Sequence, residues 1–170
     1  MDFKNYPNDI SQDSTEVFES IYNEFKKDVY AIALSILKDN ELAKDVLQET
    51  FVKLFLYLKS REVNNVKAWL VMVSRNAALD LFRKRVHEIY ICDENYMNNI
   101  EVVFNDPVDK IVVLTCLKTL DALERQIVVL KAVSGFKHRE ISKILEMPLG
   151  TVLWKYRTAI EKLKRNLGGI

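Results

Sequence analysis

The sequence predicts an all-α protein built from two small helical domains joined by a linker. Apolar residues recur at spacings of three and four through most of its 170 residues, which is typical of amphipathic helices. Glycine and proline are scarce, with 4 and 3 copies, so few positions interrupt a helix. The periodicity fades once, between about residues 88 and 107, where Asn, Asp and Glu accumulate. With 49% apolar and 29% charged residues, the chain can bury a core.

Three helices are predicted in the N-terminal half, over residues 16–37, 41–59 and 66–86. In the first, one face carries Phe18, Ile21, Tyr22, Phe25, Val29, Ile32, Ala33 and Ile36. The second is expected to turn Leu42, Val46, Leu47, Leu54, Phe55 and Leu58 inward. The third has an apolar stripe of Trp69, Leu70, Val73, Ala77 and Leu81. Each helix therefore offers one apolar face to a common core.

The segment from residue 88 to 107 is longer than connections inside one compact domain usually are. It therefore predicts a boundary between an N-terminal domain over residues 14–87 and a C-terminal domain over residues 108–168. Its apolar residues, among them Val103 and Phe104, are too numerous for a free tether, so the linker is expected to dock on a surface.

Four helices are predicted in the C-terminal half. Three of them cover residues 108–120, 138–145 and 149–167. The other begins at Asp121, whose spacing from Glu124 resembles a capping box, and closes at Gly135.

The last two helices have the layout of a helix-turn-helix, a short helix followed by a Pro-containing turn and a longer basic helix. In that motif the second helix enters the major groove, and Ile141, Leu145 and Val152 are expected to be buried between the two helices. The candidate DNA-facing residues are Arg139, Thr151, Trp154, Lys155, Arg157 and Thr158. An ordinary helical hairpin with a solvated basic face is the alternative. Spacing, the Pro-containing turn and the basic charge coincide, which favours DNA binding.

A second candidate nucleic-acid surface lies on the third helix. Its polar residues are Arg75, Asn76, Asp80, Arg83, Lys84 and Arg85. An asparagine can read an exposed base edge while arginines hold the backbone, so this face suits duplex or displaced single-stranded DNA. Basic clusters at the C-termini of helices also complement the helix dipole, so the run at residues 83–85 is weak evidence alone. Trp69, at an apolar position, is expected to belong to the core.

The net charge of +1, from 25 basic and 24 acidic side chains, at first argues against a nucleic-acid partner. The charges are segregated, however. Residues 1–50 carry 5 basic and 11 acidic side chains, and residues 91–136 carry 4 and 7. Residues 51–90 and 137–170 each carry 8 basic and 3 acidic side chains, so the two candidate DNA-binding helices lie in basic segments.

Several function classes are excluded by what the sequence lacks. No apolar run is long enough to span a membrane, and the polar first thirteen residues do not resemble a secretory signal. The cysteines, Cys92 and Cys116, and the histidines, His87 and His138, have no structural-zinc spacing, so no metal site is expected. No phosphate-binding loop or nucleophile elbow is present, and we expect neither a cofactor nor catalysis.

Two ordered blocks of residues resemble bacterial sigma factors. The block Asp45-Val-Leu-Gln-Glu-Thr-Phe51, followed by Trp69-Leu-Val-Met-Val-Ser-Arg-Asn-Ala-Ala-Leu-Asp80, resembles their conserved second region. The block Leu123-Glu-Arg-Gln-Ile-Val-Val-Leu130, followed by Glu140-Ile-Ser-Lys-Ile-Leu145 and Gly150-Thr-Val152, is similar to their fourth region. The length and the two-domain organisation match the extracytoplasmic function (ECF) group.

The resemblance implies partners and residue roles. Asp45, Gln48 and Glu49 would dock on the clamp helices of core RNA polymerase, and Arg75 and Asn76 would read and open the −10 element of promoter DNA. The helix-turn-helix would read the −35 element, and the linker would thread toward the RNA path of the polymerase. Family members are often restrained by an anti-sigma factor, so such a partner is expected in the bacterial cytoplasm.

The last helix departs from the family pattern. Sigma factors commonly have Ser-Arg after Gly-Thr-Val-x and Arg-Ala further along, whereas this chain has Trp154-Lys155 and Thr158-Ala159. The arginine is shifted to position 157. Trp154 is too bulky to copy a contact between a serine and a phosphate, so the −35 sequence is not predicted.

Two other readings remain open from the sequence. One is a conventional helix-turn-helix regulator whose N-terminal helices form a dimer or ligand domain, and which would bind duplex operator DNA unaided. The other is an interaction module whose basic faces meet an acidic protein. Its binding to nucleic acid would be absent or insensitive to salt, because phosphate contacts impose a steep salt dependence.

Overall fold

A computed structural model describes residues 12–59, 61, 63–88 and 107–167. These residues form seven α-helices and no strand within the described ranges. The helices are α1 (Gln12–Leu37), α2 (Asn40–Leu58), α3 (Val66–Glu88), α4 (Pro107–Thr119), α5 (Ala122–Ala132), α6 (His138–Ile144) and α7 (Leu149–Leu167). All seven predicted helices are present, and the all-α fold class is confirmed. The expected docking of the linker concerns residues 89–106, which lie outside the described residues.

Local hydrogen bonds explain where several helices begin and end. Asp39 caps α2, accepting from the Leu42 N–H at 3.1 Å. The predicted capping box is present at α5, where Asp121 Oδ1 accepts from the Glu124 N–H at 2.8 Å and Glu124 Oε2 accepts from the Asp121 N–H at 3.1 Å. After α5, Gly135 adopts a φ of 72°, a left-handed conformation that costs glycine little.

The N-terminal helices α1, α2 and α3 pack around one another. Their shared interior contains Ile21, Phe25, Val46, Phe51, Leu54 and Leu70. In α2 the interior differs from the expectation, because Phe55 is 41% exposed and Phe51 is buried instead. In α3 the buried face is also displaced from the predicted stripe, since Val71 and Ala78 are buried and Val73 is only half-buried. Phe51 faces the ring of Tyr22 on α1, with ring centroids 4.8 Å apart. Trp69, expected in the core, is half-buried and packs against the core beside Tyr57.

The C-terminal helices form a second group in which α5 contacts α4, α6 and α7. The predicted interior of the helix-turn-helix is confirmed, since Ile141, Leu145 and Val152 are all buried. The turn between α6 and α7 passes through Glu146, whose φ is 54°.

The two groups of helices pack against each other and share one hydrophobic cluster. Both α4 and α5 contact α1, and α6 contacts α3. As a result, every residue of α1 from Asp28 to Leu37 is buried. Only one buried face of this helix was predicted from the sequence, because the N-terminal domain was expected to have a core of its own. Among the described residues, no helix is long and apolar enough to cross a membrane.

Candidate nucleic-acid interface

The polar face of α3 lines a cavity of about 420 Å³. One wall consists of Met72, Arg75, Asn76, Leu79, Asp80 and Arg83. The opposite wall comes from the C-terminal group of helices, with Ile144, Leu145 and Glu146 at the end of α6. Four of the six polar residues predicted on α3 therefore lie together, and they face the helix-turn-helix.

Arg75 is the most enclosed of these residues. It is half-buried, and its Nε donates to Oε1 of Gln126 on α5 at 3.0 Å. Burial lowers the pKa of Arg75, the carboxylate of Glu146 opposes this shift, and Arg83 adds to it. The guanidinium still stays charged at neutral pH. Arg75 is thus a cation held at the junction between the two groups of helices.

The other polar residues predicted to contact DNA on α3, namely Asn76, Asp80, Arg83, Lys84 and Arg85, are exposed. Arg83 pairs with Asp80 at 3.1 Å, one turn away on the same helix. Arg85 pairs with Asp39 at 3.0 Å, before the start of α2. Lys84 and Asn76 are exposed to solvent. These exposed ion pairs are weak and can exchange a carboxylate for a phosphate at little cost.

The exposed side of α2 carries the predicted polymerase-binding residues. Asp45, Gln48 and Glu49 are all exposed, and Glu49 pairs with Lys53 at 2.6 Å. Beside them are three exposed apolar side chains, Val52, Phe55 and Leu56. A cluster of exposed apolar residues with a polar rim is typical of a protein-binding surface. Sequence periodicity missed this cluster because it counted Phe55 as part of the core.

The recognition helix α7 presents a mixed surface. Trp154 is 60% exposed and Arg157 is also exposed, as is Arg139 on the neighbouring helix α6. Thr151 and Thr158 are half-buried. The helix-turn-helix therefore leaves a bulky aromatic ring at the position where a DNA-facing side chain is expected.

Lys155 differs from the other predicted DNA contacts on α7, because it already has a partner. Its Nζ lies 3.1 Å from Oδ2 of Asp121, the residue that caps α5, and 5.6 Å from the centroid of the Trp154 ring. The pKa of Asp121 is lowered from its ordinary value. Burial alone would raise this pKa, but hydrogen bonds from the N–H of Glu124 and from the ammonium of Lys155 outweigh it. Only part of the positive charge predicted on this face is therefore free for phosphate.

Comparison with known proteins covers both groups of helices. The family model of Sigma-70 region 2 matches residues 21–88, and that of Sigma-70 region 4 matches residues 110–163. The ECF RNA polymerase sigma factor SigM of Bacillus subtilis is 30% identical over 152 residues, which are 85% of this chain and 93% of the relative. The chain belongs to the ECF sigma factors.

Other members of the family agree with this assignment. The ECF sigma factor SigW of Bacillus subtilis is 23% identical over 173 residues, covering 93% of this chain and 92% of the relative. The fold also matches that of the sigma factor RpoE from Bartonella quintana, solved in complex with the anti-sigma factor NepR, with a TM-score of 0.68. At 22% identity, the match covers 94% of this chain and 99% of RpoE. In this sigma factor, region 2 corresponds to α1–α3 and region 4 to α4–α7.

Two residues that join the regions were missed by sequence reasoning. Gln126 accepts from Arg75, and Arg125 donates its Nε to the carbonyl oxygen of Ser35 at 2.8 Å. Both residues are nearly fully buried although they are polar. The sequence feature that indicates a contact with further helices here is the run Ala31–Leu37, which has no charged side chain and no polar face. A helix that is apolar on all sides is covered on all sides.

Proposed function

We propose that this ECF sigma factor binds core RNA polymerase and directs it to promoters. In this proposal region 2 contacts the polymerase through α2 and the −10 element through α3. Region 4 contacts the −35 element through α7. The observation that carries the proposal is the coexistence of three separate surfaces, one acidic and apolar on α2 and two basic ones on α3 and α7, in a chain that belongs to this family.

The polymerase contact is assigned to the exposed surface of α2. Asp45, Gln48 and Glu49 supply polar and acidic groups for a basic partner surface. Val52 and Leu56, each 58% exposed, supply apolar area whose burial would stabilise the complex. We expect the affinity to come chiefly from the apolar residues, and the orientation from the polar ones.

The −10 contact is assigned to Arg75, Asn76, Asp80, Arg83, Lys84 and Arg85. Opening DNA at this element costs a few kcal/mol for each base that leaves the stack. A site that captures an unstacked base offsets that cost, so no ATP is required. Asn76 is exposed and has both a donor and an acceptor, which suits it to a base edge. Arg83 and Lys84 suit the phosphates on either side.

The −35 contact is assigned to Arg139, Thr151, Trp154, Lys155, Arg157 and Thr158. Arg157 is exposed and is the strongest candidate for a base edge or a phosphate. Lys155 would have to leave Asp121 to reach DNA. Trp154 is 60% exposed, and its indole ring suits contact with a thymine methyl group or a sugar better than a polar contact.

The proposed partners follow from this activity. They are core polymerase, promoter DNA and, as in the RpoE–NepR structure, an anti-sigma factor. No cofactor and no catalytic step of its own is required, and the site of action is the bacterial cytoplasm, where polymerase and chromosome meet.

The test is in vitro transcription from sheared genomic DNA with purified core polymerase, followed by sequencing of the RNA 5′ ends. We expect discrete start sites that appear only when core and this protein are both present. Asn76→Ala is expected to abolish promoter opening, read by permanganate reactivity, while leaving core affinity unchanged. Asn64→Ala, an exposed change of the same type before α3, is the matched control.

A conventional regulator gives a different result. It would protect duplex operator DNA without polymerase and would add no new start sites with core. If no start site depends on the protein at saturating core, the proposed function is wrong.

A further inference from the structure

We propose that this sigma factor reads thymine methyl groups in the −35 element through two apolar side chains of α7, Leu153 and Trp154. The inference deepens the proposed function and rests on it in taking α7 as the helix that enters the major groove. It names the chemical group that the helix recognises, which is the 5-methyl group of thymine.

The outward side of α7 carries large apolar groups in its first two turns. Leu153 is 44% exposed and Trp154 is 60% exposed, and Arg157 follows them on the same side of the helix. Val152 and Ala159 are fully buried on the opposite side, which fixes the face that points outward. Large apolar side chains at neighbouring positions are unfavourable in water, so this face is suited to being covered when the protein acts.

Gly150 lies in the first turn of α7, on the same side as the apolar pair, and is also exposed. A Cβ added at this position would meet nothing within 4 Å in the described part of the chain, and the backbone is not left-handed there. The fold therefore does not require a glycine, although glycine is unfavourable within a helix. A missing side chain on the outward face lets another molecule approach the helix closely.

Lys155, the next residue along α7, is directed away from this face. Its Nζ lies 3.1 Å from Oδ2 of Asp121, and its side chain is only 22% exposed. The same ammonium lies 5.6 Å from the centroid of the Trp154 ring, within the range of a cation–π contact. The charge of Lys155 is thus used by α5 and by the indole ring, and Trp154 is left to meet the bases at this turn.

The charges around the apolar pair favour DNA as the molecule that covers it. Exposed cations lie on both helices of the motif, Arg139 and Lys143 on α6 and Arg157 on α7. Unlike Lys155, none of the three has a carboxylate partner among the residues that the structure describes. Phosphates can therefore pair with these cations while the apolar side chains between them face the base edges.

Thymine is the base that presents an apolar group in the major groove. Its C5-methyl group lies at the groove edge, whereas the edges of guanine, adenine and cytosine present donors and acceptors. Leu153 has no polar side-chain atom, and Trp154 has a single donor on a large apolar ring. Covering a methyl group stabilises such a contact, whereas covering a polar base edge would leave that edge without a hydrogen bond. The face can therefore distinguish thymine by its methyl group.

Replacement of thymine by deoxyuridine removes only this methyl group. The probe is the promoter fragment found by the transcription experiment, made with deoxyuridine at every thymine of the −35 element on both strands. Its dissociation constant from the holoenzyme is measured by competition and divided by that of the unmodified fragment. A fragment with the same number of replacements in the spacer between the two promoter elements is the DNA control.

The protein variants remove the apolar contacts and leave the cations in place. Leu153→Ala and Trp154→Ala are combined in one variant. Trp154→Phe keeps an apolar ring and loses the N–H, so it separates a methyl contact from a hydrogen bond. Ile111→Ala is the matched control, because it truncates an apolar side chain that is 59% exposed on α4. All these side chains are exposed, so thermal unfolding by circular dichroism should show a Tm close to that of the wild type.

For the wild type we expect the ratio of dissociation constants to be about four for each contacted methyl group, and about one for the spacer control. The −35 ratio should fall to about one in the double variant and stay at the wild-type value in Trp154→Phe and Ile111→Ala. A ratio of one in the wild type would overturn the inference. So would a wild-type ratio in the double variant, even with weaker binding, because the pair would then contact sugars or a protein. Either result beside promoter-specific transcription overturns the inference alone, whereas a lack of any dependent transcript refutes the proposed function and this inference with it.

Discussion

The burial of Asp28 predicts that removing its charge stabilises the fold. This residue is 3% exposed and lies at the junction of α1 with region 4. Its Oδ2 is 3.3 Å from Nζ of Lys67, whereas its Oδ1 has no hydrogen-bond partner among the described residues. Burial raises the pKa of Asp28 above its ordinary value, and Lys67, Ser134 and Lys27 counteract the rise only in part. The ionised carboxylate is therefore destabilising relative to its unfolded, hydrated form.

Asp28→Asn removes this charge and keeps the shape of the side chain. Lys67 loses its partner but has a side chain that is 34% exposed, so its ammonium can be hydrated. Because burial raises the pKa of Asp28, the folded state disfavours the charged form, and we expect the variant to be more stable at pH 7. A gain of about 1 kcal/mol, the usual size of a single-site effect, would raise Tm by about 2–4 °C for a chain of this size.

The pH dependence gives a second, independent check. Since the folded state binds the Asp28 proton more tightly, this residue stabilises the wild type as pH falls through the raised pKa toward the unfolded value. The advantage of Asp28→Asn should therefore shrink as the pH falls from 7 toward 3.8, the ordinary pKa of an aspartate side chain. The assay is urea unfolding of both proteins at several pH values, so that other carboxylates cancel in the difference. Lys67→Ala is the opposing control, because it leaves the buried carboxylate unpaired and should cost about 3 kcal/mol. If both variants lost the same free energy of unfolding at pH 7, the reasoning would be refuted and Asp28 would be a net stabilising group.

Three further predictions concern other surfaces of the molecule. Val52→Asp should weaken binding to core polymerase more than tenfold, measured by fluorescence anisotropy. Its Tm should change little because Val52 is 58% exposed, and retained affinity would exclude α2 from the polymerase interface. Arg157→Glu should abolish footprinting protection of the −35 element, whereas Arg165→Glu, an equal charge reversal near the end of α7, should retain it. Equal loss of protection in both variants would indicate a general charge effect instead of a groove contact. Burial raises the pKa of Cys116 to about 12, so in a Cys92→Ser variant its thiol should react with a disulfide reagent at pH 8 only after denaturation. Rapid labelling of that variant in its native state would contradict the buried position of Cys116.

The parts of the structure that sequence predicts well are those governed by neighbouring residues. The capping box of Asp121 and Glu124 depends on a spacing of three, and both bonds are present. The interior of the helix-turn-helix depends on helical periodicity within fifteen residues, and Ile141 and Val152 are buried as expected. The assignment of Phe55 to the core was wrong, because two phenylalanines one turn apart satisfy the same periodicity and only tertiary packing on α1 selects Phe51.

The parts that escaped prediction depend on distant residues. The bond between Arg75 and Gln126 joins positions 51 apart, and that between Ser35 and Arg125 joins positions 90 apart. No local pattern encodes either pairing. The run from Ala31 to Leu37 does indicate that both faces of α1 are covered, but it does not name the covering helix. The separation of the chain into two domains obscured this signal, because each domain was assigned its own core.

The interface between regions 2 and 4 combines apolar side chains with buried polar groups. Apolar side chains such as Leu34 and Val129 supply attraction, yet buried polar groups lie among them, including Arg125, Gln126 and Asp28. Polar groups regain hydrogen bonds with water when an interface opens, so they contribute less to the difference between closed and open forms than apolar groups of equal size. They also fix one relative orientation, since their bonds are satisfied in only one arrangement. An interface of this kind therefore specifies one relative orientation of regions 2 and 4, because apolar attraction alone would tolerate several.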